Sequence, residues 1–147
     1  SSHDASWIIR LPQEDMCQAK GVSPLSKYQA DGGPSINDCM RILDGAQNAA
    51  INKKIFYKAQ IIFWLLYATD GHAKNFSIRH LSNEQYELTP LYDILSALPV
   101  IGKKSDQIAH QKAKLAMAIK SSRNYYSVDL IQRRHFVAQG IQVGISA

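Results

Sequence analysis

The stretch ATDGHAKNFS, Ala68 to Ser77, sets Asp70, His72, Lys74 and Asn75 within six residues, directly after an apolar run. Such a cluster at a chain break has two readings: a polar turn that stops a helix, or the working part of an enzyme. Upstream, the spacing predicts a helix over Ile51–Ala68. Ile55, Phe56, Ala59, Ile62, Phe63, Leu66 and Tyr67 recur at three and four, and Lys53, Lys54 and Lys58 lie near its start. Its second half is apolar all round, which places it in the middle of the domain, and Asp70-Gly71 ends it. Downstream, FSIRHL and YELT alternate around Ser82–Gln85, the pattern of a β-hairpin with a four-residue turn. Two strands alone are marginal, so the hairpin must rest on helices. TPLYDILSALPV then turns into a short apolar segment.

The remaining elements follow from breakers and caps. Residues 7–12, WIIRLP, read as an extended segment ended by proline, with a brief helix near Gln13–Ala19. Gly21 to Pro34 is loop and contains Asp31-Gly32-Gly33-Pro34, a strong breaker. Ser35 is an N-cap for a helix to about Leu43, with Ile36, Met40 and Leu43 on one face, and Gly45 ends it. Further helices are expected from about Asp106 to Ile119 and from Val128 to about Gln139. The fold class is thus mainly α with one small β-hairpin, in a single domain over 1–147.

Bulk properties exclude several classes. The 147 residues suit one domain of ordinary size, and 46% hydrophobic with 20% charged residues is a globular composition. The longest apolar run, IIFWLLYA, has eight residues, against the ~20 needed to span a bilayer. SSHDASW offers no basic segment followed by an apolar one, so no signal peptide is expected. Cys17 and Cys39 do not make a disulfide framework and suit a reducing cytoplasm as buried packing residues. Asn75-Phe76-Ser77 matches a glycosylation sequon that has no use without a secretory route. The net charge of +5 is scattered, with no aromatic-interleaved basic ribbon, so direct nucleic-acid binding is not expected. His3, His80, His110 and His135 lack metal-ligand spacing. Trp7 and Trp64 read as packing residues.

The order of parts carries the chemistry. A helix is followed by Asp70, by Asn75 five residues on, by a hairpin, and by Asp93. Eukaryotic-like kinases share this order: a catalytic-loop aspartate, an asparagine five residues later, a hairpin and a second, metal-binding aspartate. A base aspartate orients the attacking hydroxyl, while an amide oxygen and a carboxylate offer Mg²⁺ the hard oxygen ligands it prefers. Lys74 or His72 can offset developing negative charge. The trio D-x4-N…D by itself has little specificity.

The surrounding residues add it. RLPQEDMCQAKG, KYQADGGPSI, ATDGHAKNFSI, YELTPLYDILSALPV and KLAMAI closely resemble, in order from about Arg10 to Phe136, the HipA family of bacterial toxin serine/threonine kinases. The resemblance implies the mainly helical C-terminal lobe of a two-lobed kinase-like fold. It implies transfer of the ATP γ-phosphate to serine on a protein target of the aminoacyl-tRNA synthetase class, autophosphorylation, and restraint by a DNA-binding antitoxin. Carried across, Asp70 matches the catalytic aspartate and Asn75 and Asp93 the Mg²⁺ ligands. His72 and Tyr92 match nucleotide-contacting residues, and Gln13, in LPQED, a contributor to the nucleotide cleft.

The departures bear on activity. No glycine loop and no strand-borne lysine for the ATP phosphates precede Arg10, and VAQGIQVGISA leaves the family pattern after Phe136. The expectation is a lobe without its N-lobe or final helices, inactive by itself. Two readings stand beside it: a catalytically silent module that binds antitoxin or target, and a metal-dependent hydrolase built on Asp70, His72, Asn75 and Asp93.

Overall fold

The computed structural model describes residues 11–102 and 107–145. The extended segment expected over 7–12, along with Trp7 and His3, lies largely or wholly outside these residues. Strand β1 (Gln13–Asp15) leads directly into helix α1 (Met16–Lys20). Asp15 makes the switch possible: its carboxylate accepts from Gln18 N at 2.9 Å, and Gln18 Oε1 accepts from Asp15 N at 2.9 Å. Helix α2 (Ile36–Asp44) starts the same way, with Ser35 as N-cap and Asp38 reaching back to it, and it buries Ile36, Cys39, Met40 and Leu43. Cys17 and Cys39 are buried free thiols.

Helix α3 (Ala49–Leu65) stops before the polar cluster, not at it. Tyr67 adopts the left-handed region at φ 52°, and the Ala68 N–H returns to the Phe63 carbonyl at 2.8 Å. This closure satisfies the last carbonyls without help from Asp70-Gly71. Nor does α3 lie in the middle of the domain. Phe56, Ala59 and Phe63 face the core, whereas Ile51, Ile55, Ile62 and Leu65 form an exposed stripe. An all-apolar sequence shows that a helix can be buried, but which side is covered depends on the elements that reach it.

The expected hairpin is present as β2 (Ser77–His80) and β3 (Tyr86–Leu88). Asn83 and Glu84, both at φ near 60° (59° and 58°), form the tight turn that matches strand twist. The hairpin is not alone, because β1 pairs antiparallel with β2 (Gln13 opposite Arg79, Asp15 opposite Ser77), giving the order β1-β2-β3. The fold departs further from expectation after Ala113. Where a helix to Ile119 is predicted, strand β4 (Lys114–Lys120) pairs with β5 (Asn124–Ser127). Leu115 to Ile119 are all buried, with helix α4 (Arg133–Gln142), α2 and the 29–31 turn packed against the strand. A strand covered on both faces loses its alternation, so its sequence cannot be told from a buried helix by period. The helix expected from Val128 is split into a single 3₁₀ turn at Val128–Leu130 and α4. The result is a mixed α/β fold of four helices and two small antiparallel sheets among the described residues, not a mainly α one. No helix among them is long and apolar enough to cross a membrane.

Asn52 ties the first sheet to α3. Its Nδ2 donates to the Gln47 and Asn48 carbonyls at 2.5 and 3.1 Å, and its Oδ1 accepts from Leu88 N at 3.1 Å. Asn52→Leu keeps the branched shape but strands a buried N–H, so urea unfolding should show a loss of about 1–3 kcal/mol.

Candidate functional site

The cluster occupies the loop between α3 and β2, and two local devices shape it. Gly71 crosses the face of Phe63 so closely that a Cβ there would overlap the ring. Next, a single 3₁₀ turn over Ala73–Asn75 folds Asn75 back onto His72. The Asn75 N–H donates to the His72 carbonyl at 2.9 Å, while the His72 N–H donates to Asn75 Oδ1 at 3.0 Å. The free side of the same carboxamide, Nδ2, donates to Asp93 Oδ2 at 2.7 Å. Asn75 is therefore buried and held at both ends of its carboxamide, which removes the sequon from consideration.

Asp93 reaches this point from the strand that the hairpin sends back. Its backbone sits in the left-handed region at φ 55°, a conformation Asp tolerates better than most residues. Tyr92 fastens the approach. Its hydroxyl shares a hydrogen bond with Ser77 Oγ at 2.6 Å and donates to the Lys74 carbonyl at 3.0 Å, while the ring stays partly exposed. Ala68, Asp70, Gly71, Asp93 and Leu95 line one hollow of about 10 Å³, so both aspartates border the same small space.

Asp70 is exposed, and its contacts among the described residues run to Oδ1. Tyr28 donates a short hydrogen bond to it, Lys27 Nζ lies at 3.8 Å, and His72 Nε2 at 3.6 Å. Sequence reasoning left Lys27 and Tyr28 inside a featureless loop. The signal was the breaker beside them: the Gly33 N–H and the Asp31 N–H both bond the Tyr28 carbonyl, at 2.9 and 3.0 Å. A Cβ on Gly33 would stand 2.7 Å from that same carbonyl oxygen, and Gly32 sits at φ 93°. DGG is the fold-back that delivers Tyr28 to Asp70. The structure thus brings together Asp70, His72, Tyr92, Asn75 and Asp93. Gln13 lies on the neighbouring strand β1, exposed, and takes no part in the contacts that join the other five.

The charges follow from this packing. Hydrogen bonding to Asp70 pushes the Tyr28 phenol up to about 12. His72 is held below the ordinary histidine value by burial and then by the Lys27 charge, with Asp70 pulling partly the other way. Its Nδ1 is buried without a partner. Asn75 holds the Asp93 carboxylate with its Nδ2 and the His72 N–H with its Oδ1, so the pair carries an amide oxygen and a carboxylate, hard donors of the kind that suit Mg²⁺ when phosphate and water oxygens complete its shell. Among the described residues no three His, Cys, Asp or Glu side chains gather as a metal cage.

A lowered histidine pKa means the unfolded chain takes up the proton first as pH falls. The contribution of His72 to stability is thus present above about pH 6.5 and declines below it. Histidine proton resonances of the metal-free protein should show His72 titrating below 6.5. Asp70→Asn should lower that value further and Lys27→Met should raise it.

Comparison with known proteins identifies the family and the fold. The HipA-like C-terminal domain family model matches residues 3–146. The putative kinase Y4mE of Sinorhizobium fredii is 37% identical over 97 residues, 65% of this chain and 23% of that relative. HipA from the structure of the Shewanella oneidensis toxin–antitoxin system HipA, HipB and operator DNA complex superposes with a TM-score of 0.80 at 22% identity. That superposition covers 99% of this chain and 34% of the other. The chain therefore spans about a quarter to a third of the length of these relatives. With nearly every residue matched in order, the chain belongs to the HipA-like C-terminal domain family.

Proposed function

We propose that this domain is the C-terminal lobe of a Mg²⁺- and ATP-dependent serine/threonine protein kinase of a toxin–antitoxin system. The observation that carries the reading is the meeting of Asp70 and Asp93 at one hollow, with Asn75, the second prospective metal ligand, hydrogen-bonded to Asp93. That a relative is named a putative kinase supports the chemistry. The toxin–antitoxin and operator complex of the structural relative supports a DNA-binding antitoxin as partner. A serine on a protein of the aminoacyl-tRNA synthetase class is the proposed substrate, with autophosphorylation beside it. A cytoplasmic setting fits the buried free thiols. The domain works as one unit and needs an N-lobe to hold the nucleotide.

In this mechanism Asp70 receives the hydrogen bond of the acceptor hydroxyl. Its Oδ1 is taken by Tyr28, with Lys27 and His72 nearby, so Oδ2 is the oxygen left for that task. Tyr28 is a positioning residue, since its hydroxyl sets the rotation of the carboxylate. Asn75 and Asp93 would hold Mg²⁺, which when bound neutralises phosphate charge. His72, kept neutral, places no second cation beside Lys27. Tyr92 holds the 74–77 segment in register with Asp93 and offers its exposed ring toward a nucleotide, with Gln13 at the neighbouring strand edge.

The test uses the intact protein, Mg²⁺ and labelled ATP. Asp70→Asn or Asp93→Asn should lower self- and target phosphorylation on the order of 10²–10⁴-fold, because positioning and charge compensation make up nearly all of such catalysis. Chelating Mg²⁺ should stop it, and the 147-residue chain by itself should show none. Undiminished transfer in either variant overturns the assignment.

A further inference from the structure

A second cleft, of about 240 Å³, lies between α2, the 29–31 turn, the end of β4 and α4. Its lining is almost wholly polar and has no part in the Asp70 site. Gln139, 1% exposed, forms the floor. Its Nε2 donates to Asn37 Oδ1 at 3.1 Å, and its Oε1, also buried, has no donor. A buried acceptor without a donor is costly, so a site that keeps one beside a cleft is suited to a ligand that supplies an N–H. Lys120 and Arg41 stand at the exposed rim. Lys120 makes no ion pair among the described residues. Asp38, the one carboxylate in the lining, is already neutralised: Lys20 Nζ lies at 2.7 Å and Ser35 N at 2.9 Å, with Arg41 at 3.6 Å.

The cleft asks for a ligand with an anionic end and a nearby N–H donor. It is smaller than the ~300–1,000 Å³ pockets that enclose whole small molecules, which suits one side chain with its peptide unit. No aromatic ring lines it to stack a base. Its wall also leads to the other site. Gln29, whose Oε1 accepts the Ala118 N–H at 2.8 Å, directly follows Tyr28, whose hydroxyl bonds Asp70. The cleft and the Asp70 site are thus joined through the adjacent residues Tyr28 and Gln29.

We propose that this cleft is a docking subsite for an acidic residue of a peptide segment, its carboxylate at Lys120 and Arg41 and its peptide N–H at the Gln139 carboxamide. The subsite deepens the kinase reading, on which its role in choosing a protein substrate rests, but binding there needs no ATP and is measured without it. The probes are Ac-Ala-Glu-Ala-NH₂, its Gln counterpart Ac-Ala-Gln-Ala-NH₂, inorganic phosphate and AMP, titrated into the intact protein selectively ¹⁵N-labelled at glutamine. The Glu peptide should shift the Gln139 side-chain resonances more strongly than the Gln peptide. Lys120→Glu, an exposed change that leaves the fold intact, should weaken that binding about fivefold or more. Gln139→Leu should weaken both peptides. Equal response to the two peptides, no response at millimolar concentration, indifference to Lys120→Glu, or stronger response to phosphate or AMP overturns the proposal. Absence of peptide binding in the unaltered protein while it transfers phosphate sinks the subsite alone, and peptide binding in an unaltered protein that transfers none sinks the kinase reading alone.

Discussion

The carboxamide of Asn75 is the constraint on which the site depends. One face accepts from the His72 backbone and the other donates to Asp93, so a single buried side chain closes the loop and captures the returning chain. Both halves must be satisfied at once, since a buried carboxamide with an idle face costs about 1–3 kcal/mol. The surroundings are arranged to permit this. Tyr67 turns α3 off early, Gly71 slips over Phe63, the 3₁₀ turn points Asn75 inward, and Asp93 accepts a left-handed backbone.

Around that fixed point the ionisable groups divide by solvent access. Asp70 stays exposed, whereas His72 is buried beside Lys27 and kept neutral. Burial favours the uncharged imidazole, and a neighbouring ammonium favours it again. Tyr28 and Gln29 extend the arrangement outward. One side chain binds Asp70 and the next binds the β4 backbone, so the glycine fold-back links the catalytic loop to the second sheet and to the polar cleft beyond it.

What was legible in the sequence was local. The Ser35 cap, the Ser82–Gln85 turn and the alternation on either side depend on neighbours within a few residues, and they appear where expected. Of four sites where expectation and structure part company, one is local and three are long-range. The stop of α3 rests on Tyr67, a residue type that carries no stop signal. The strand β1 pairs with β2 more than sixty residues away (Gln13 with Arg79), and three residues are too few to announce it. The KLAMAI segment is a strand because α4 and the 29–31 turn cover it. Tyr28 has no motif of its own, and only the glycines beside it mark the fold-back.

By itself the sequence determined the cluster: its residue types, the Asp70-to-Asn75 spacing and the hairpin that returns Asp93, because each follows from covalent neighbours and turn chemistry. The tertiary structure decided what completes it. Tyr28 and Lys27 reach Asp70 from a loop some forty residues upstream (Tyr28 to Asp70 is a separation of 42), and a second sheet replaces a helix. Neither follows from local preference, because contacts between distant segments depend on which surfaces are buried together, and that is a property of the whole packed chain.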